Sequence, residues 1–151
     1  MRVLLQRVTR GSVTVEGKVT GTVDGGYVAL VGITHADTGS HAEILARKVA
    51  VLRVFDDEQG RMNRSILDTG GGVLVISQFT LYADAKGQRR PSYMQAARPE
   101  QAAPLVEYFC DRLRAEGIQR IETGVFGAMM QVEIHNDGPV TIWLDSADHA
   151  G

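Results

Sequence analysis

The sequence has few of the features that define extracellular, membrane or general nucleic-acid-binding proteins. It has one cysteine, Cys110, among 151 residues, so no disulfide can form within the chain. No apolar run approaches the roughly 18 residues that a membrane-spanning helix needs. The net charge of −2 excludes a broad basic surface. The first residues carry charge too often for a secretion signal, so the composition predicts a cytoplasmic protein without membrane contact.

Motifs for metal binding and for nucleophilic hydrolysis are also missing. None of the four histidines stands in a recognisable motif, and there is no G-x-S-x-G sequence. His35, Asp37 and His41 are close enough to suggest a metal site, but they fall in a polar loop and at the start of a helix. Solvated side chains are the better interpretation of that cluster. The sequence therefore predicts neither a metal nor a cofactor.

The hydrophobic pattern predicts one α+β domain over residues 1 to 145, followed by a loose tail at residues 146 to 151. Residues 2 to 33 alternate between apolar and polar side chains and are punctuated by glycine, which predicts three antiparallel strands. Residues 125 to 134 predict a later strand, and Val140 to Leu144 predict the last one.

Two stretches with helical spacing predict the main helices. Ser40 followed by Glu43 is a capping-box signature, and the apolar residues after it predict a helix over residues 41 to 52. A second helix is predicted over residues 100 to 116. Cys110 lies within it and fits a small core residue.

A polar cluster follows the most apolar strand of the sequence. Val73 to Ile76 are four β-formers in a row, which predicts a strand buried on both faces, and Ser77-Gln78-Phe79-Thr80 follows directly. Backbone groups at the end of such a strand lose their partners and can bind a ligand, and two hydroxyls and an amide add hydrogen-bonding groups. The same side chains could equally serve only to satisfy the end of the strand.

Two other features allow both a structural and a functional interpretation. Met129 and its neighbour more often fill a core than contact a cofactor. Lys86, Arg89 and Arg90 form a short basic loop that is either simply solvated or in contact with phosphates.

Glycine and proline stand side by side in H-N-D-G-P-V-T-I-W-L, residues 135 to 144. An X–Pro bond is held cis at a cost of only about 0.5–1 kcal/mol, and glycine adds no Cβ. Gly138-Pro139 can therefore turn the backbone sharply and aim its carbonyl groups at a ligand. A plain tight turn with a trans bond is the commoner arrangement of such a pair.

Together these stretches resemble one family, the D-aminoacyl-tRNA deacylases, from Met1 to about Leu144. The resemblance is carried by L-L-Q-R-V-T-R-G-S-V near the start, G-G-x-V-L-V-I-S-Q-F-T-L in the middle, R-P-S-Y at residues 90 to 93, and F-G-A-M-M-Q-V with N-D-G-P-V-T near the end. The order and spacing of S-Q-F-T and N-D-G-P-V-T are its most specific part. Gly11 stands where the family often has alanine.

The resemblance implies a compact, β-rich α+β fold, barrel-like, with largely antiparallel sheets and two main helices. It implies a homodimer with its active sites at the subunit interface. The implied reaction is hydrolysis of the ester that joins a D-amino acid to the 3′-terminal adenosine of tRNA, which is an editing function. The pocket of one subunit would be lined by Ser77, Gln78, Phe79 and Thr80, with Phe126, Ala128 and Met129 near the adenosine.

The resemblance also implies how the substrate's chirality is checked. Gly138-Pro139 would enter from the other subunit with its peptide bond cis, held in place by Arg7. Its carbonyl groups would stand where the side chain of an L-amino acid must go, so that selection works by rejection. Glycine has no side chain, so glycyl-tRNA would be accepted too, including tRNA for alanine mischarged with glycine.

The sequence leaves the catalytic step and two other functions open. Thr80 could attack the ester, but no base stands obviously within reach. Attack by water is preferred, with a backbone N–H near Phe79 or Thr80 stabilising the oxyanion and the tRNA 2′-hydroxyl assisting. From the residues alone, a Ser/Thr hydrolase of small esters and a non-catalytic RNA-binding module are alternatives.

Overall fold

A computed structural model describes residues 1 to 149 of the chain. Its strands are β1 (Arg2–Val15), β2 (Lys18–Val23), β3 (Gly26–Gly32), β4 (Phe55–Asp56), β5 (Met62–Arg64), β6 (Gly72–Ser77), β7 (Ile121–Thr123) and β8 (Gln131–Asp145). Its helices are α1 (Gly39–Val51), α2 (Ile66–Thr69) and α3 (Pro99–Ala115). Short 3₁₀ turns cover Phe79–Tyr82 and Ser146–Asp148.

The long strand β1 organises the main sheet because it is paired along both edges. On one side it pairs antiparallel with β3 and β2, as predicted for the first 33 residues, and on the other with β8. The sheet then continues through β6 and β7, which run parallel to β3. β2 approaches β7, where Thr22 N donates to Glu122 Oε1 at 3.2 Å, so the sheet nearly closes. The barrel-like α+β fold is confirmed, and the parallel pairs make its sheet mixed.

Both faces of β3 and β6 are buried, as predicted for Val73 to Ile76. Val73 and Val75 point to the larger core, beneath α1 and α3, whereas Leu74 and Ile76 point to a second core enclosed by the sheet. Burying an apolar side chain of this size contributes about 1.5–3 kcal/mol. A strand that is apolar at every position can satisfy both cores, which explains why it shows no alternation.

Both main helices form where the spacing predicts them, within two residues at each end. The cap predicted for α1 is wrong. The N-cap is Thr38, whose backbone is extended at φ −131° and ψ 177°, and its N–H donates to His41 Nδ1 at 2.9 Å. A histidine ring thus takes the role expected of Glu43.

Two expectations for the C-terminal strands are corrected. Residues 125 to 130 are a loop, because Gly127 has φ +78° and Ala128 N donates back to Val125 O, which breaks the extended run. Gly138-Pro139 is a bulge inside β8 rather than a turn between two strands. Val8 pairs with Asn136 and Gln6 with Thr141, so four residues of β8 lie opposite Arg7.

The tail predicted from Ser146 onward is not loose at its first residue. Ser146 is buried, its N–H donates to Met1 O at 2.8 Å, and its hydroxyl accepts from the Met1 ammonium at 2.8 Å. Ala150 and Gly151 of that predicted tail lie outside the described residues. Among residues 1 to 149, no helix is long and apolar enough to cross a membrane.

Candidate active site

A pocket of about 570 Å³ opens at the carboxyl end of β6. Parallel strands commonly present ligand sites at this end, because the chain leaves the core there with unpaired backbone groups. The pocket brings together most of the residues predicted for the site, namely Ser77, Gln78, Phe79, Phe126, Ala128 and Met129. Its floor is apolar, formed by residues such as Val31 and Ile76.

Thr80 is the member of the predicted cluster that does not line this pocket. Its hydroxyl is hydrogen-bonded to Gln78 Nε2, and its carbonyl accepts from Ala83 N at 3.0 Å within the 3₁₀ turn. The first hydrogen bond of that turn runs from Leu81 N to Gln78 O at 3.2 Å. The N–H groups of Phe79 and Thr80 precede it and so have no partner within the turn.

One wall of the pocket is aromatic and rests on α3. The ring of Phe79 meets the edge of Tyr93 with centroids 5.0 Å apart and an interplanar angle of 74°. Pro99, Ala102 and Val106, from the first turns of α3, continue this wall. Phe79 is 56% exposed, so half of its ring faces solvent at the pocket mouth.

The opposite lip is the loop that replaces the predicted start of a strand. Phe126, Ala128 and Met129 lie on this loop, and Met130 and Val132 carry the wall onward into β8. Met129 is 92% exposed, which is unusual for so large an apolar side chain. The expectation that Met129 fills a core is therefore wrong, because the loop at Gly127 turns it outward.

Gly138 and Pro139 lie elsewhere on the surface of the same chain. They are exposed, do not line the pocket, and are joined by a cis peptide bond, as the resemblance implies. Gly138 has φ +117°, and a Cβ there would stand 2.9 Å from Val140 Cγ2 and 3.2 Å from Arg7 Nη2. The position therefore requires glycine.

Arg7 lies behind this bulge and is buried, with 7% of its surface exposed. Its Nη1 donates to Val54 O at 2.7 Å and lies 3.3 Å from Asp56 Oδ1. Its Nε lies 3.3 Å from Asp137 Oδ2, although the N–H is not directed at that oxygen. The guanidinium is thus anchored on Val54 O and Asp56, and its charge lies beside the carboxylate of Asp137, the residue before Gly138.

Asn136 closes the base of the bulge. Its Nδ2 donates to the carbonyl oxygens of Arg7 and Val140, each at 3.0 Å, and its Oδ1 accepts from Thr141 Oγ1 at 3.2 Å. The residues between Asn136 and Val140 are thus tied to β1 at both ends. The predicted site did not include Asn136, although it stands in the N-D-G-P-V-T stretch that carried the resemblance.

The other pocket residues missed by the sequence come from distant elements. Tyr93 ends the R-P-S-Y stretch, so a signal was present, but its contact with Phe79 depends on the fold. The α3 residues are part of an ordinary amphipathic pattern that gives no sign of a pocket. Contacts between separate elements leave no local trace in one sequence.

The expectation that His35, Asp37 and His41 are solvated is wrong for Asp37, which is buried. The Asp37 carboxylate is paired with the Met1 ammonium at 2.6 Å, and His41 Nδ1 accepts from Thr38. Nε2 of His35 lies 2.7 Å from Met94 O. Over residues 1 to 149, no group of three or more His, Cys, Asp or Glu side chains could hold a metal ion.

Two buried titratable groups are held in their neutral forms. Burial raises the pKa of the Cys110 thiol to about 11. Burial also raises the pKa of Tyr27, against the opposing effect of the Arg7 charge. Neither side chain is poised as a nucleophile at neutral pH.

A family model described as D-Tyr-tRNA(Tyr) deacylase matches residues 4 to 145 of the chain. Among its relatives are two bacterial proteins named D-aminoacyl-tRNA deacylase. The one from Thermomicrobium roseum is 58% identical over all of this chain and 97% of its own length. The one from Thermus aquaticus is 55% identical over all of this chain and 99% of its own length.

Two solved structures share the fold over nearly their whole length. A structure titled c-Myc DNA Unwinding Element Binding Protein superposes with a TM-score of 0.90 at 42% identity, covering 96% of this chain and 98% of its own. A structure described as a probable eukaryotic D-amino acid tRNA deacylase superposes with a TM-score of 0.80 at 18% identity, covering 95% and 97%. The second likeness concerns the fold alone.

Proposed function

The chain belongs to the D-Tyr-tRNA(Tyr) deacylase family and is a hydrolase of the aminoacyl-tRNA ester bond, and from this premise we propose that its active site is completed by a second copy of the chain and rejects L-amino acids by steric exclusion. One observation carries the proposal. Within one chain, the pocket at the end of β6 lacks Gly138-Pro139, which is held rigidly and exposed elsewhere.

Exposed apolar groups support the association of two copies. Met129, Phe79 and Trp143 are 92%, 56% and 48% exposed in the single chain. β8 pairs with β1 alone, so its other edge is free of strand partners among the described residues. Large exposed apolar side chains often mark an interaction surface, and a two-fold homodimer is the commonest way to cover one.

The chiral check follows from rigid backbone rather than from attraction. Asn136 is hydrogen-bonded to the backbone on both sides of Gly138-Pro139, and the Arg7 guanidinium lies behind the bulge. The carbonyl groups of Gly138 and Pro139 therefore keep their positions when a substrate side chain contacts them. Added contacts to an apolar side chain discriminate by only about 1–3 kcal/mol per methylene, and a fixed wall can exceed that. D-aminoacyl and glycyl esters are accepted, including glycine on tRNA for alanine, because neither places a side chain at the wall.

Water attacks the ester in the proposed mechanism. The N–H groups of Phe79 and Thr80, which lack partners within their turn, stabilise the oxyanion, and the 2′-hydroxyl of the terminal adenosine assists. Phe126, Ala128 and Met129 form the adenosine side of the pocket. Thr80 is a positioning residue, since its hydroxyl is engaged by Gln78.

The location follows from the substrate. Charged tRNA is made and used in the cytoplasm, and the lone buried cysteine fits a reducing compartment. We therefore place the enzyme there.

The purified protein is tested on D-tyrosyl-, L-tyrosyl- and glycyl-tRNA. Release from the D and glycyl esters, with the L ester spared, is expected. Equal hydrolysis of both enantiomers would contradict steric exclusion. Turnover of free acyl esters with none of the three tRNA esters cleaved would favour a generic hydrolase, and tRNA binding without any deacylation would favour a binding module.

The shared site is tested by mixing two inactive variants. Ala128→Trp fills the pocket and Gly138→Ala damages the bulge. In a mixed dimer one site combines the intact pocket of one chain with the intact bulge of the other. Equal mixing after co-refolding should restore about a quarter of the wild-type sites. A site contained within one chain would show no recovery.

A further inference from the structure

Positive charge is concentrated in one segment beside the pocket. Residues 84 to 98, called here the basic segment, carry four cations, Lys86, Arg89, Arg90 and Arg98, and one carboxylate, Asp84. Its net charge is +3 in a chain whose total is −2, so the remaining residues together carry −5. An otherwise acidic protein thus presents a local basic surface.

The backbone of this segment is organised without using its cations. Asp84 and Ser92 exchange two backbone hydrogen bonds of 2.8 Å, which close the loop between them. Asp84 Oδ1 also accepts from Lys86 N at 2.9 Å, and Asp84 O accepts from Gln88 Nε2 at 3.2 Å. The Asp84 carboxylate therefore stabilises the loop backbone and does not pair with the cationic side chains.

The cationic side chains are left facing solvent. Lys86, Arg89, Arg90 and Arg98 are exposed, and none of them forms an ion pair within residues 1 to 149. By contrast Arg2, Arg7 and Arg120 each have a carboxylate partner. Hydrogen bonds hold the backbone of the segment, and its four cationic side chains have no carboxylate partner in the described part of the chain. Such a surface is suited to binding an anion.

The segment meets the pocket at two points, at Tyr93 within it and at its C-terminal end. Tyr93, one residue beyond Ser92, packs against Phe79 at the pocket mouth. Arg90 is three residues from Tyr93, so its Cα lies within roughly 11 Å of the aromatic wall, at 3.3–3.6 Å for each residue. Arg98 directly precedes Pro99, which lines the pocket.

We propose that the basic segment binds the phosphates of the tRNA acceptor end whose terminal adenosine occupies the pocket. The inference rests on the proposed function and extends it from the terminal nucleoside to the backbone behind it. Exposed arginines with no carboxylate partner suit phosphate oxygens, and the reach from pocket to cations suits a strand that leaves through the mouth. Contacts of this kind position the substrate without reading its sequence.

The test compares a long substrate with a minimal one. Arg89→Ala/Arg90→Ala is assayed on D-tyrosyl-tRNA and on 2′(3′)-O-D-tyrosyl-adenosine, which has no phosphate. The variant should lose about tenfold or more in kcat/KM on the tRNA at low salt and stay within about twofold of wild type on the adenosine ester. The slope of log kcat/KM against log salt should fall by about 1–2.

The control, Arg47→Ala/Arg61→Ala, removes two exposed arginines outside the segment. Its kcat/KM on both substrates should equal that of the wild type. Charge reversal in Arg89→Glu/Arg90→Glu should deepen the loss on tRNA alone. Equal losses on both substrates, or no loss on tRNA, would overturn the proposal.

Binding of uncharged tRNA, followed by fluorescence anisotropy, separates this proposal from the proposed function. If the wild type cleaved neither ester, the proposed function would fail, and the anisotropy of wild type, variant and control would still decide whether the segment binds RNA. Equal affinity of wild type and variant would end the proposal.

Discussion

The amide of Asn136 donates a 3.0 Å hydrogen bond to the carbonyl of Val140, across the two residues that form the proposed chiral wall. The same amide donates to Arg7 O at 3.0 Å, so one side chain ties the end of the bulge to the neighbouring strand. Asn136, two residues before Gly138, thus stabilises the wall through hydrogen bonds, and the Arg7 guanidinium packs behind it.

Asn136→Ala should loosen the bulge and reduce discrimination. Two carbonyl groups lose their donor, at a cost of about 1–3 kcal/mol in the free energy of unfolding. The ratio of D to L ester hydrolysis should fall by about tenfold, mainly because the L ester gains rate. Thr141→Val, which removes only the hydroxyl that donates to Asn136 Oδ1, is the control and should keep the ratio. An unchanged ratio in Asn136→Ala would show that Arg7 suffices.

Gly138→Ala should impair deacylation more than it impairs folding. The backbone at φ +117° is strained for alanine, and the new Cβ would meet Val140 and Arg7 at 2.9–3.2 Å. We expect a loss of about 1–3 kcal/mol in stability and a larger relative loss of activity, of about a hundredfold. Gly60→Ala is the matched control: its φ is +76° with nothing within 4 Å of a Cβ. Calorimetry and D-tyrosyl-tRNA kinetics on both variants separate backbone strain from damage to the wall.

Thr80→Ala should retain activity within about fivefold, because the proposed role of Thr80 is to hold Gln78. A nucleophile would lose about a hundredfold or more. Thr80→Ser restores a hydroxyl and should match wild type under either mechanism. A loss of a hundredfold or more in the alanine variant, with activity kept in the serine variant, would contradict the proposed role and make the hydroxyl the candidate attacking group.

Cys110 should resist alkylation in the native enzyme. With its pKa raised to about 11 by burial, almost no thiolate exists at pH 8. Iodoacetamide should modify it only when the chain is unfolded in guanidinium, and activity should survive the native treatment. Rapid native labelling, followed by mass spectrometry, would mean that the α3 face opens. Cys110→Ala should retain activity.

Asp145 should stabilise the fold at neutral pH and less in acid. Burial opposes its ionisation, but Ala147 N–H, Arg2 and the Met1 ammonium together hold the pKa of Asp145 below its usual range. The folded pKa of this carboxyl lies below its unfolded value of about 3.9. Its contribution to the free energy of unfolding is therefore fully present above pH 3.9 and is lost as the pH falls through the folded pKa. Asp145→Asn keeps the cap and removes the charge.

That variant should lower stability by about 0.2–1 kcal/mol at pH 7, the value of a partly exposed pair. The difference from wild type should shrink as the pH falls through the folded pKa of Asp145 and vanish in stronger acid. Asp148→Asn, which makes the same change at an exposed carboxyl with no ion pair to another described residue, is the control. A difference that persisted in acid would point to packing rather than charge.

Much of the architecture followed from local patterns. Alternation predicted β1 to β3, a wholly apolar run predicted β6, and 3.6-residue spacing predicted α1 and α3. The errors came from residues whose conformation depends on partners far away. Gly138-Pro139 was expected to reverse the chain, yet β1 holds the residues on both sides of it in one ladder. Likewise the residues after Gly124 have strand-forming side chains, but Gly127 and the pocket keep them in a loop.

The candidate site likewise contains residues that the sequence predicts and residues that it does not. Ser77, Gln78 and Phe79 could be named because a polar cluster at the end of a buried strand is visible in the sequence. Tyr93 and the residues of α3 reach the pocket only through the packing of separate elements. In the sequence Asn136 is typical of a turn. Its hydrogen bonds to the carbonyl groups of Arg7 and Val140 depend on the strand register, which the sequence alone does not give.

The pairing of β1 with β8 also sets the order in which the molecule can be assembled. Arg2 is the strand partner of Asp145, so the ladder that closes the sheet joins residues more than 140 positions apart. Contacts of such separation form late and slow the folding of β-rich domains. A nascent chain on the ribosome cannot complete this ladder, or fix Gly138-Pro139 against Arg7, until residue 145 has emerged. Deacylase activity that depends on this ladder therefore begins only after the residues up to Asp145 have been translated.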